Sequence, residues 1–182
     1  MSLIIKDSFM LFVLLILLNL SSCKNMINED VYPLDFYTQY SQFYLTDGAD
    51  EGSDGDLWTD TAYYQRMAFD KGFLAVGTEC YGPVKGRLEI KNDGSNIGNL
   101  EEYDHVVEGE IDIETGVLQV QDCPTSSVVQ EMELPSGVYS VRVYSKGLTT
   151  VEGDEGDDFY RIVIWPATNN DKKVMVLKQY TP

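Results

Sequence analysis

Apolar and polar residues alternate along most of the chain with a period of two, the repeat of a strand with one face buried, and not the 3.6 of a helix. Tyr139, Val141 and Val143 share one parity while Ser140 and Arg142 share the other. Tyr160, Ile162 and Ile164 alternate against Arg161 and Val163, and Val107, Ile111 and Ile113 against Glu108, Glu110 and Asp112. Shorter runs at Phe36–Leu45, Phe73–Gly77, Arg87–Lys91, Val117–Gln121, Val128–Leu134 and Val174–Gln179 bring the predicted strands to about nine. Turn chemistry separates several of them: Asn92-Asp93-Gly94, Glu114-Thr115-Gly116 and Leu134-Pro135-Ser136-Gly137. Between Thr59 and Asp70, Ala62, Arg66 and Phe69 make no clean apolar stripe, which predicts a short helix or a loop. The expectation is an all-β fold, an antiparallel β-sandwich with at most one short helix.

The N-terminal stretch follows a different rule. Phe9 to Leu20 is a nearly unbroken apolar run, too short to span a bilayer comfortably, preceded by Lys6 and followed by small residues. It reads as a secretory signal over residues 1–22, cleaved in the mature protein. Leu20-Ser21-Ser22-Cys23 resembles a bacterial lipobox, which implies that Cys23 is acylated and anchors the chain in the cell envelope. No Asp follows Cys23, so the resemblance to Gram-negative lipoproteins implies the outer membrane. Residues 23–35 are then a polar tether, and 36–182 a single domain.

Composition and charge narrow the function. The chain of 182 residues is 43% apolar and 24% charged, ordinary values for a globular protein. Thirty acidic residues against thirteen basic ones give a formal charge of −17, which opposes binding to nucleic acid and favours a basic protein partner.

The chemistry-bearing residues are few. His105 is the single imidazole, so any Ser–His or Cys–His mechanism must use it, and its parity with Val107 and Ile111 places it on an apolar face. G-x-S-x-G, P-loop and dinucleotide fingerprints are missing, and no Cys/His spacing forms a metal site; no catalytic residue, metal or cofactor is expected. With Cys23 committed to lipid, Cys80 and Cys123 form a candidate disulfide in an oxidising compartment, with two buried thiols as the alternative. Two acidic, Gly-rich segments, Asp47–Asp56 and Glu152–Asp158, could be solvated loops or could fold around Ca²⁺, although neither has the EF-hand order. Trp58, Tyr63 and Tyr64 offer aromatic platforms on which a glycan could stack, with core packing as the other reading. Parity also puts Asp104, Glu108, Glu110 and Asp112 on one face, a solvated face or an acidic docking surface for a basic protein.

Several separated motifs resemble one known layout. Tyr40-Ser41-Gln42-Phe43, Trp58 followed by Lys71-Gly72-Phe73, Asp104-His105-Val106-Val107-Glu108, Leu134-Pro135-Ser136-Gly137-Val138-Tyr139 and Tyr160-Arg161-Ile162-Val163-Ile164-Trp165-Pro166 are similar to the competence-protein J family. The resemblance runs from Tyr37 to Leu177, and its motifs are strands, a Pro-Gly turn and aromatic anchors. That family includes inhibitors of a DNA-uptake nuclease. The resemblance implies a protein that acts by binding and blocking another, a nuclease or toxin, and transfers no inhibitory residue. The expected function is that of a non-catalytic, lipid-anchored envelope protein, nuclease-inhibitor-like or immunity-like. A surface lipoprotein module binding glycan or Ca²⁺ is the alternative.

Overall fold

The computed structural model describes residues 29–48, 56–95, 98–168 and 173–181, and within them eleven strands form two sheets. The first sheet runs, side by side, β1 (Val31–Tyr37), β5 (Pro83–Ile90), β10 (Phe159–Pro166), β9 (Gly137–Lys146), β6 (His105–Ile113) and β11 (Met175–Lys178). The second runs β3 (Met67–Asp70), β4 (Phe73–Gly77), β2 (Gln42–Asp47), β7 (Val117–Gln121) and β8 (Val128–Glu133). One short helix, α1 (Asp60–Gln65), and two 3₁₀ turns complete the described elements. The sandwich is all-β, as the alternation predicts.

The core lies between the sheets. Val107, Ile111, Val141, Val143, Ile162 and Ile164 of the first sheet meet Phe43, Leu45, Leu74, Val76, Leu118 and Val120 of the second, all nearly or wholly inaccessible. The opposite face of the first sheet is also covered. Val106, Tyr144, Val163 and Trp165 form a second buried cluster under Leu100, Tyr103 and Leu177. This explains why Val163 interrupts the polar parity of β10: both of its faces are dry.

Three local differences from the sequence reading have physical causes. The run Phe36–Leu45 is two strands in different sheets, because Tyr40 and Ser41 adopt positive φ (58° and 52°) in a tight turn closed by a Gln39–Gln42 bridge. Buried Leu34 is even-numbered and buried Phe43 and Leu45 are odd-numbered, so the chain must shift face between them. β1 also takes in Val31–Asp35 from the stretch expected to be a tether, pairing it with β5. In Thr59–Asp70, the Thr59 side chain accepts from the Ala62 N–H and caps α1, Arg66 turns the chain at φ 56°, and β3 follows with Met67 and Ala68 buried.

β5 begins at Pro83, earlier than its apolar residues indicate, and pairs with β10 in parallel; the other described pairings are antiparallel. Gly86 stands opposite Tyr160 in that pair. A Cβ on Gly86 would lie 2.1 Å from the Tyr160 carbonyl oxygen, so only glycine permits this approach.

Candidate interaction surfaces

The acidic residues of β6 divide into two groups. The register sets Glu108 opposite Arg142 on β9, and Arg142 Nε donates to Glu108 Oε2 at 2.6 Å while its guanidinium lies 5.4 Å from the centre of the Trp165 ring. Asp104 accepts from the Leu148 N–H at 3.0 Å and fastens the second 3₁₀ turn (Leu148–Thr150). Two of the four predicted partner-binding carboxylates therefore hold the fold. Glu110 and Asp112, half-buried, line a shallow groove of about 250 Å³ together with Phe69, Asp70 and Lys71 from the β3–β4 hairpin. The hairpin's contribution was not legible in the sequence, where Phe69 and Asp70 fell in a predicted helix or loop.

His105 is fully buried. Its Nδ1 accepts from the Tyr180 N–H at 3.3 Å, which fixes Nε2 as the donor to the Gln65 carbonyl at 3.1 Å. Burial pushes its pKa down, the bond to Gln65 opposes that, and neighbouring Arg66 lowers it further. A neutral imidazole with both nitrogens occupied is a structural bridge between the end of α1, β6 and the C-terminal segment.

Cys80 and Cys123, the candidate disulfide, are free buried thiols in different settings. Cys123 Sγ accepts from the Tyr44 hydroxyl at 2.9 Å and from Gln42 Nε2 at 3.4 Å. Burial, aided by Asp158, pushes the Cys80 thiol up to about 12, so it is protonated at neutral pH and a poor nucleophile. Asp158 accepts from the Cys80 N–H and the Tyr160 hydroxyl, at 3.1 and 2.6 Å.

Of the two acidic segments, residues 49–55 lie outside the described residues, as does Cys23. Asp47 is buried and accepts from the backbone of Glu114 and Thr115, capping the β6–β7 turn. Glu152 and Glu155 close a tight turn through their backbones. Among the described residues no group of three or more His, Cys, Asp or Glu side chains is placed to hold a metal ion.

The aromatic residues form the second cleft, about 450 Å³, where the β1–β2 turn, the β4–β5 loop and α1 meet at one end of the sandwich. Tyr40, Trp58 and Tyr63 line it and Tyr64 does not. Trp58 and Tyr63 pack with ring centres 5.1 Å apart, and Tyr40 meets Tyr81 edge-on at 5.8 Å. The Trp58 indole N–H donates to Gln42 Oε1, and its ring edge leaves only 3.3 Å for a Cβ at Gly77. The Arg66–Glu79 ion pair lies in the same cleft. Tyr40 of this group was named in the sequence only as part of a motif. Nothing local in the sequence joins it to Trp58 and Tyr63.

No protein-family model and no curated protein sequence matches the chain. Two solved structures share its fold. The crystal structure of ComJ from Bacillus subtilis, an inhibitor of the DNA-degrading activity of NucA, superposes with a TM-score of 0.62 at 15% identity, over 78% of this chain and 100% of that one. The product of crocagin biosynthetic gene J superposes with a TM-score of 0.52 at 13% identity, over 77% of this chain and 99% of that one. The architecture expected from the sequence resemblance is thus shared with the ComJ structure.

Proposed function

We propose that the protein is a non-catalytic, lipid-anchored envelope protein that binds and blocks a basic protein partner, a nuclease or a toxin. The observation that carries this reading is the superposition of the whole ComJ chain, an inhibitor of a nuclease, on a sandwich whose sequence carries a charge of −17. A nuclease must present cationic surface to phosphates, and an acidic ligand competes for that surface and is steered to it. The groove lined by Glu110, Asp112 and Asp70 is the acidic surface assigned to first contact. The state of His105 and Cys80 agrees with binding rather than covalent chemistry.

The direct test is affinity capture of an exported nuclease on the purified protein, with DNA hydrolysis by the captured enzyme as readout. Inhibition that weakens with added salt is the expected result. Turnover of a substrate by the purified protein alone, or capture insensitive to ionic strength, overturns the reading. Anchoring rests on Cys23 and the apolar run before it. Incorporation of labelled palmitate into the outer-membrane fraction, lost in Cys23→Ser, is its test.

A further inference from the structure

The aromatic cleft is framed by two tight turns of the backbone. Of the four non-glycine residues at positive φ among the described residues, Tyr40, Ser41 and Arg66 all line it. Tyr40 and Ser41 form the β1–β2 turn and Arg66 the left-handed C-cap of α1, so two tight turns set where the aromatic residues stand. Tyr40 and Tyr63 are nonetheless 59% and 65% exposed, so core packing does not account for them. A rigid, exposed aromatic surface is what recognition sites use, because it offers contact area with little side-chain entropy to lose.

The chemistry left open identifies the occupant. Three polar groups of the floor are committed within the chain: Gln42 Oε1 to Trp58, Gln42 Nε2 to Cys123, and the Thr78 hydroxyl to the Cys80 carbonyl at 2.8 Å. A sugar ring needs such groups uncommitted around its hydroxyls. Aromatic ring surface and the Arg66–Glu79 pair both face the cleft, and the Glu79 side chain is 29% exposed. Ring faces attract cations, and a planar guanidinium can lie on a ring while its edge bonds a carboxylate.

This protein builds that arrangement repeatedly. Arg66, Arg87, Arg142 and Arg161 each stack on a ring, on Tyr180, Phe159, Trp165 and Tyr144, at 5.1–5.9 Å. Each also bonds a glutamate, and Glu89 accepts from two arginines at once. Glu79 can therefore serve Arg66 and a guest.

We propose that the cleft takes an arginine side chain of the partner protein, its guanidinium lying against the Trp58–Tyr63 pair and Tyr40 with its edge toward Glu79. The proposal rests on the reading of the chain as a binder of a basic protein, and adds a second contact that shares no lining residue with the acidic groove. Its test needs no partner. The purified protein is titrated with blocked Gly-Arg-Gly, with the same peptide carrying citrulline, and with chitotetraose, following tryptophan fluorescence in a W165F background so that Trp58 alone reports. The arginine peptide saturates, the other two do not, and Y40A/Y63A weakens the arginine peptide by about tenfold. Both tyrosines are exposed, and an unchanged circular dichroism spectrum confirms the fold of the variant. No saturation by the arginine peptide, an equal response to citrulline, or saturation by the saccharide overturns the assignment. If the peptide fails while nuclease capture succeeds, this inference falls alone; if capture fails while the peptide saturates, the proposed function falls and the cation site stands.

Discussion

Arg161 reaches diagonally across the parallel β5–β10 pair to Glu89, donating from Nε at 2.6 Å and Nη2 at 2.9 Å, so that two planar charges meet through two bonds in a nearly dry setting. The Arg161 bonds, supported by Arg87 and opposed by burial, hold the Glu89 carboxyl at about 2, against an ordinary 4.5. Its folded-state pKa is depressed, so its contribution to stability is complete above pH 4.5 and is lost as the pH falls toward 2. Glu89→Gln leaves Arg161 buried without its counter-charge and costs about 3–5 kcal/mol near neutrality. Urea unfolding of the two proteins checks this: the gap closes on acidification, and a gap constant with pH contradicts the assignment.

His105 adds its own signature on the acid side, beginning at a higher pH than that of Glu89. Its folded-state pKa lies below the ordinary 6.5, so the unfolded chain takes up the proton first. Stability is whole above pH 6.5 and declines as the pH falls below it, until the depressed folded value is reached. Imidazole proton resonances should titrate below the ordinary histidine range, and His105→Gln should remove this part of the stability slope. A ring that titrates at or above the ordinary value refutes the buried, neutral bridge.

Gly86 is the most exacting glycine. Gly86→Ala must push β5 from β10, and a loss of at least about 1–3 kcal/mol follows, read as a lower melting temperature. Gly137 is the control: it has no positive φ and no atom closer than 4.0 Å to its Cβ position, so Ala there leaves the melting temperature nearly unchanged. Equal effects at the two positions would remove the close approach as the cause.

The carboxylates of β6 should separate by phenotype. Glu108→Gln weakens the bond to Arg142 and lowers stability by on the order of 1 kcal/mol. E110Q/D112N leaves the Glu108–Arg142 pair untouched and slows association with a basic nuclease, as stopped-flow kinetics at low and high salt would show. Loss of stability without any change in association rate would remove the groove as the contact surface.

The strands were legible as alternating runs, as in β6 and β9, or as short apolar runs, as in Phe73–Gly77. Phe73–Gly77 and Val117–Gln121 have the predicted bounds, and β6, β9 and β10 extend theirs by a few residues. Where both signals fail, so does the reading. Met67–Asp70 is four residues long and hidden behind the turn at Arg66, and β5 begins among Pro, Lys and Gly. The cysteine pair was equally opaque, because spacing cannot say whether two thiols face one another.

The sequence by itself determined the all-β class, the burial of alternating positions, the acidity and the apolar N-terminal run, because each depends on local residue type and a two-residue period. The tertiary structure decided the partners. His105 meets Gln65 and Tyr180 from positions 40 and 75 residues away, Glu89 meets Arg161 from 72 away, and Tyr40 joins Trp58 and Tyr63 across three separate elements. Such contacts follow from how the two sheets stack and which strand lies beside which. Many pairings can satisfy the same alternation, and packing of the whole core selects among them.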